Sequence, residues 1–180
     1  MPDDQIHGGK VSGHVVLMGL MGAGKSTVGR ELATLLNRPL IDNDEQVLAK
    51  TALTVAEISA RAGIAEMRRL ERQALAEALA SPVPAVITAA AGVILDDQAR
   101  RSLQEPFVAW LRADPATLAA RVAGDPVRPL LGEDPEAVLR AMHQQRHRLY
   151  AEVADFVVDI DRLPPADVAA AIAAHVSRRS

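Results

Sequence analysis

Residues 19–26, Gly-Leu-Met-Gly-Ala-Gly-Lys-Ser, match the pattern G-x-x-x-x-G-K-[S/T] in full. The apolar run HVVLM at 14–18 precedes the match and is typical of a buried strand, while TVGRELATLLN at 27–37 follows it with apolar residues at helical spacing. A strand, a glycine-rich turn and a helix in this order predict a P-loop, whose backbone N–H groups bind phosphate oxygens. Lys25 would then reach the β and γ phosphates and Ser26 would bind Mg²⁺, unless the match is a chance strand-to-helix turn.

The composition is that of an ordinary globular protein. The 180 residues suit one domain, with 49% apolar residues, 24% charged residues and a net charge of −3. This balance gives no basic field for nucleic acid or anionic membranes, and the lack of cysteine excludes disulfides. No signal-peptide core or run of ~18 apolar residues is present. We therefore expect a cytoplasmic protein with no nucleic-acid or membrane partner, a flexible tail at 1–12 and a single domain at 13–180.

Apolar runs alternate with helical patterns along the chain. This alternation predicts an α/β fold with a parallel sheet, whose ligands bind at the carboxyl ends of the strands. A loop with several prolines and glycines is predicted at 124–135. The predicted strands are 14–18, 40–41, 85–88, 107–111 and 156–160. The predicted helices are 25–37, several within 43–80 with a break near 61–64, 96–103, 115–122, 136–153 and 165–175.

Two carboxylates follow the second predicted strand. Asp42 and Asp44 would face the P-loop, where one could hold Mg²⁺ and the other could orient or deprotonate a hydroxyl that attacks the γ-phosphate. Aspartate is also a common helix N-cap, and either residue could serve only that purpose.

Several arginines are candidates for binding anions. Arg68 lies three residues before Glu71 on a predicted helix and could clamp a carboxylate, although the pattern alone favours a solvated charged face. Arg128 could close over the phosphates from a lid or lie in a surface turn. Arg121 could stack on adenine or offset a helix C-terminus. Arg146 could hold an acid or a phosphate, although an exposed helix end is the default interpretation.

These features occur together in a recognisable order. The sequences GLMGAGKSTVGRELA (19–33), IDNDE (41–45), MRRLERQAL (67–75), RPLL (128–131) and RHRLY (146–150) resemble the shikimate kinase family of P-loop kinases. The likeness runs from about residue 15 to about residue 176. It implies a three-layer αβα fold with a five-stranded parallel sheet in the order 2-3-1-4-5. It also implies a substrate-binding region near 43–72 and a lid near 124–135, and we expect a monomer.

The resemblance also implies roles for individual residues. The implied ATP-binding residues are Gly22, Ala23, Gly24, Lys25, Ser26, Thr27, Arg121 and Arg128. The implied Mg²⁺ ligands are Ser26 and Asp42. The residues implied to contact a hydroxylated, carboxylate-bearing small molecule are Asp44, Arg68, Ala89, Ala90, Ala91 and Arg146. The implied catalytic residues are Lys25, Asp44 and Arg128.

The chain departs from the family pattern on the acceptor side. Consecutive glycines of the family are replaced by Ala89–Ala91, a phenylalanine by Met67, another aromatic residue by Ser59 and a proline by Arg148. Each alanine adds a methyl group and disfavours positive φ, so we expect a reshaped acceptor wall.

Three functions follow from this pattern. The first is ATP-dependent phosphorylation of shikimate to shikimate 3-phosphate, in aromatic amino acid biosynthesis. The second is a kinase for another small hydroxy acid or polyol, which the altered acceptor wall motivates. The third is a non-catalytic ligand-sensing module that keeps the nucleotide site.

Overall fold

The computed structural model describes residues 13–123 and 134–178, and these form one parallel sheet flanked by helices. The strands are β1 (Val15–Met18), β2 (Leu40–Asp42), β3 (Val86–Thr88), β4 (Phe107–Arg112) and β5 (Phe156–Asp159). The helices are α1 (Lys25–Leu36), α2 (Asn43–Thr51), α3 (Val55–Ala62), α4 (Ile64–Leu79), α5 (Asp97–Ser102), α6 (Pro115–Val122), α7 (Pro135–Val153) and α8 (Pro165–Ser177). The strand order is β2-β3-β1-β4-β5, which confirms the predicted α/β fold and its topology.

The core lies around the central strand. All four residues of β1 are buried, and β1 pairs in parallel with β3 on one side and β4 on the other. Helices cover the sheet, with α1 packed against α8 and α6 against α7. A strand covered on both faces needs apolar side chains on both, which explains the continuous run at 14–18. The carboxyl ends of β1, β2 and β3 therefore meet at one edge, where the P-loop follows β1, Asp42 ends β2 and Ala89–Ala91 follow β3.

The region 43–80 contains one more break than the sequence analysis predicts. The predicted break is confirmed at Gly63, which has φ 88° and separates α3 from α4. The additional break separates α2 from α3, where Ala52 has φ 56°. Thr54 then starts α3 with a capping box that it forms with Glu57. The T-x-x-E pattern of this box is visible in the sequence, and it was the missed sign that a new helix begins here.

Two predicted features lie outside the described residues: the tail at 1–12 and, within the proposed lid, residues 124–133, including Arg128. Within the described ranges, none of the helices combines the length and the apolar character needed to cross a membrane.

Candidate active site

The loop between β1 and α1 has the backbone conformation of a phosphate-binding turn. Gly22 and Gly24 have φ values of 82° and 76°, which disfavour any residue with a Cβ. A Cβ at Gly22 would also lie 2.9 Å from Val122 Cγ1 and 3.0 Å from the Leu118 carbonyl oxygen, whereas one at Gly24 would meet open space. Helix α1 begins after Gly24 without a side-chain cap, which is the arrangement that binds anions at helix N-termini.

Lys25 spans this loop. Its Nζ donates hydrogen bonds to the carbonyl oxygens of Gly19, at 2.9 Å, and Leu20, at 3.2 Å. Lys25, Gly22 and Gly24 line the same cavity. The ammonium group therefore stands beside the helix terminus, where a phosphate would need a cation.

Asp42 makes hydrogen bonds through both carboxylate oxygens. Oδ1 accepts from the backbone N–H groups of Asp44, at 3.0 Å, and Glu45, at 3.3 Å, so the helix-cap interpretation of Asp42 is confirmed. Oδ2 accepts from Ser26 Oγ at 2.6 Å, which joins β2 to the P-loop. This pair of oxygen ligands fits Mg²⁺, which binds through one or two protein oxygens together with waters and substrate phosphates.

A cavity of about 290 Å³ connects the P-loop to the acceptor side. The predicted site residues that line it are Gly22, Gly24, Lys25, Ser26, Thr27, Asp42, Asp44, Arg68, Ala89, Ala90, Ala91 and Arg146. Lining residues to which the sequence analysis gave no role are Met21, Val55, Ala56, Glu71, Thr88, Gly92 and Met142. Met67, noted only as a departure from the family pattern, also lines it.

Three predicted residues do not line the cavity. Ala23 is buried in the core, so only its backbone is in the P-loop. Ser59 is on α3, where Val55 and Ala56 supply the cavity wall instead. Arg121 is exposed, and its Nη2 donates to the Ile160 carbonyl oxygen at 2.8 Å. The structure thus places Arg121 against the chain that follows β5.

Arg68 and Glu71 form a largely buried ion pair. Arg68 Nη1 lies 2.8 Å from Glu71 Oε2, with side-chain exposures of 24% and 7%. The prediction of a solvated face is therefore wrong for this pair, and it holds instead for the exposed pair Arg69 and Glu66. Burial raises the pKa of Glu71, and the neighbouring Arg68 opposes this effect.

Gly92 explains where the Arg68 guanidinium can lie. A Cβ on Gly92 would stand 1.3 Å from Arg68 Nη1, so the guanidinium occupies the space over this glycine. The single glycine after three alanines was the sequence signal for this close approach. The sequence alone does not say which side chain makes it.

Arg146 lies within α7, and the interpretation as an exposed helix end is wrong. It is 4% exposed, and Nη1 donates to the Ala91 carbonyl oxygen at 3.2 Å. Its buried Nε has no hydrogen-bond partner among the described residues. Burial lowers the pKa of Arg146. Arg146 and Arg68 thus bring two guanidinium groups to the cavity that Glu71 and Asp44 also line. Arg68 is paired with Glu71, while the Arg146 guanidinium has a donor that no described residue fills, which suits an anionic ligand.

The alanines and Arg148 cause no visible strain. Among the described non-glycine residues, positive φ occurs only at Asn37 and Ala52, so Ala89–Ala91 have ordinary backbone conformations. The expected conflict with positive φ is absent, and the alanines change the wall only through their methyl groups. Arg148 lies inside the unbroken α7, where proline would remove a helical hydrogen bond.

The cavity has the parts of a phosphotransferase site, and comparisons with known proteins agree with this. A family model described as shikimate kinase matches residues 21–177. A shikimate kinase of Symbiobacterium thermophilum is 41% identical over 170 residues, covering 92% of this chain and 97% of that protein. A shikimate kinase from Acinetobacter baumannii, solved in complex with shikimate, superposes with a TM-score of 0.89 at 32% identity. That superposition covers 95% of this chain and 96% of the solved chain.

Proposed function

The chain belongs to the shikimate kinase family, and we propose that it transfers the γ-phosphate of ATP to a hydroxyl of shikimate, giving shikimate 3-phosphate. The observation that carries this proposal is the single cavity that joins a P-loop to Arg68 and Arg146. The shikimate-bound relative from Acinetobacter baumannii supports the choice of acceptor. We further propose that the enzyme acts as a cytoplasmic monomer in aromatic amino acid biosynthesis.

The P-loop side binds the nucleotide. Lys25 and the N–H groups from Gly22 to Thr27 bind the phosphates, and Lys25 exchanges its carbonyl partners for the β and γ phosphates when ATP arrives. Ser26 and Asp42 hold Mg²⁺, which offsets phosphate charge when it is bound with ATP. The role of Arg121 at the adenine stays a prediction, because its guanidinium bonds to the Ile160 carbonyl oxygen and does not line this cavity. Arg128 lies outside the described residues, and its contact with the phosphates stays a prediction as well.

The other side binds the acceptor. Arg68 and Arg146 bind its carboxylate, because both guanidinium groups line the cavity and can pair with a carboxylate in bidentate fashion. Asp44 follows β2 in the chain and lines the same cavity, and it orients the acceptor hydroxyl. The new bond joins the hydroxyl oxygen to Pγ, the bond from Pγ to the leaving oxygen of ADP breaks, and Asp44 accepts the hydroxyl proton.

Ala89, Ala90 and Ala91 follow β3 and line the cavity. We propose that their methyl groups narrow the space for the acceptor ring and so set its fit. Holding both substrates in one cavity supplies the near-attack geometry that phosphoryl transfer requires.

A coupled ADP-release assay tests this function. With saturating Mg-ATP, we expect ADP release to depend on shikimate, and we expect Lys25→Met to abolish release while thermal unfolding stays close to wild type. Lys25 donates to carbonyl groups of its own loop, which is held by the neighbouring strand and helix, so its loss should lower the free energy of unfolding only modestly. ATP binding without shikimate-dependent release would refute the proposed acceptor, and wild-type turnover by Lys25→Met would refute the P-loop assignment.

A further inference from the structure

The carbonyl oxygen of Ala91 accepts two side-chain hydrogen bonds. Tyr150 Oη donates to it at 2.9 Å, and Arg146 Nη1 donates to it at 3.2 Å. Tyr150 and Arg146 are four residues apart on α7, so they share one face of this helix. One backbone oxygen of the acceptor wall therefore joins a cavity-lining arginine to a residue that does not itself line the cavity.

Tyr150 is a rigid donor. It is 1% exposed, and its ring stacks on Trp110 of β4 with centroids 5.5 Å apart. Burial raises the pKa of the Tyr150 phenol, so the hydroxyl stays protonated and donates at neutral pH. The central sheet thus fixes the position of this hydroxyl, since Trp110 pairs with Met18 of β1.

The hydrogen-bond donors of Arg146 are only partly satisfied. Its Nη1 bonds to Ala91, while its buried Nε lacks a partner among the described residues. A buried donor without a partner is costly unless a ligand satisfies it. A carboxylate can pair in bidentate fashion with the Nε–Nη2 edge of a guanidinium. The bond from Nη1 to Ala91 is then the contact that fixes how this edge is presented.

We propose that Tyr150 is a positioning residue for the acceptor: its hydroxyl fixes the guanidinium of Arg146, both through the Ala91 carbonyl that they share and through the direct interaction of the two side chains. Tyr150 acts without touching either substrate. The part of this inference that concerns the acceptor carboxylate rests on the proposed function. The link from Tyr150 to Arg146 does not depend on the proposed function, so the link and the effect on the acceptor are tested separately.

Kinetics with Tyr150→Phe test the effect on the acceptor. The substitution removes one hydroxyl and keeps the stacked ring. We expect the KM for shikimate to rise roughly three- to tenfold, the equivalent of one lost hydrogen bond, with the KM for ATP and kcat within about twofold of wild type. Val108→Ala, a buried change on β4, is the control for lost stability and should leave both KM values unchanged. Equal rises in both KM values, or no rise, would overturn the proposal.

A double-mutant cycle tests the route. If Tyr150 acts through Arg146, Tyr150→Phe should change the KM for shikimate by less than about twofold in an Arg146→Lys background, because the oriented guanidinium is already gone. A full additional rise in that background would show that Tyr150 acts by another route.

NMR of the arginine side chain tests the link without substrate. The Nε–Hε cross-peak of Arg146, assigned by its loss in Arg146→Lys, should shift or broaden in Tyr150→Phe and remain unchanged in Val108→Ala. An unchanged cross-peak in Tyr150→Phe overturns the inference whatever the kinetics show. If wild type does not turn over shikimate, the proposed function fails, and this cross-peak still decides whether Tyr150 positions Arg146.

Discussion

Replacing Asp42 with asparagine separates its observed role as a helix cap from its proposed role as a Mg²⁺ ligand. Asparagine keeps Oδ1, which accepts from the backbone N–H groups of Asp44 and Glu45 at 3.0 and 3.3 Å. It replaces Oδ2, which accepts from Ser26 Oγ at 2.6 Å, with an amide NH₂ that cannot accept. The helix cap therefore survives, since asparagine and aspartate cap helices about equally well. What is lost is the negative charge and the acceptor for the Ser26 hydroxyl proton.

The expected changes in stability and activity differ greatly in size. The Ser26 hydroxyl can rotate and accept a hydrogen bond from the new amide. The free energy of unfolding should therefore fall by at most about 1 kcal/mol, which corresponds to a decrease of roughly 2–4 °C in Tm for a chain of this length. Loss of a carboxylate that holds Mg²⁺ should lower kcat/KM by at least about 100-fold. It should also raise the Mg²⁺ concentration for half-maximal rate by about 10- to 100-fold.

Thermal unfolding and the coupled ADP assay over a series of Mg²⁺ concentrations measure these changes. Asp114→Asn is the matched control, because Asp114 caps α6 through Ala116 N at 2.8 Å and does not line the cavity. The control should show a similar Tm with an unchanged Mg²⁺ requirement. An Asp42→Asn enzyme with wild-type rate and Mg²⁺ dependence would show that Asp42 is a helix cap and nothing more.

Three further predictions concern the acceptor side. Arg68→Lys should raise the KM for shikimate at least about tenfold with little change for ATP, whereas the exposed neighbour Arg69→Lys should change neither; equal effects of the two would refute the carboxylate clamp. Because burial holds the pKa of Glu71 above its usual 4.5, wild type should lose stability relative to Glu71→Gln as pH rises from about 4.5 towards neutrality. Urea unfolding at several pH values measures this difference, and a difference that grows in favour of wild type would contradict it. Replacing Ala89–Ala91 with glycine should lower the free energy of unfolding in urea by roughly 0.4–1 kcal/mol per residue, because glycine frees the unfolded chain, and it should lower the KM for shikimate. An unchanged KM would show that the methyl groups do not limit binding.

The P-loop side could be predicted because its signals are local. The strand, the turn and the helix are contiguous in sequence, and Gly22 and Gly24 occupy positions where positive φ demands glycine. The edge of the sheet then follows from topology, because parallel strands bring their carboxyl ends together. This is why Asp42 and Ala89–Ala91 could be placed near the P-loop without any knowledge of side-chain contacts.

The acceptor side was harder because its interactions are distant in sequence. Helical spacing places Arg68 next to Glu71, but it does not say that α4 turns this pair towards the cavity and Arg69 towards solvent. Likewise, Arg146 is buried because α7 brings it to Ala91, 55 residues away along the chain. Burial of a charged residue depends on its partners, and periodicity does not identify those partners.

The segment Ala89–Ala91 shows how the side chains that line a cavity can change while the hydrogen bonds to its backbone are kept. Tyr150 and Arg146 bond to the carbonyl oxygen of Ala91, and this oxygen is present whatever the side chain. Since Ala89–Ala91 also have ordinary φ values, replacing glycine with alanine leaves the backbone and its two donors in place. The methyl groups can then alter only the volume open to the acceptor ring, while the Arg146 guanidinium, the proposed carboxylate ligand, keeps its position. Ring fit and carboxylate binding are thus separable, so variants of the wall should change which acceptors are used and variants of Arg146 should change how strongly any carboxylate is held.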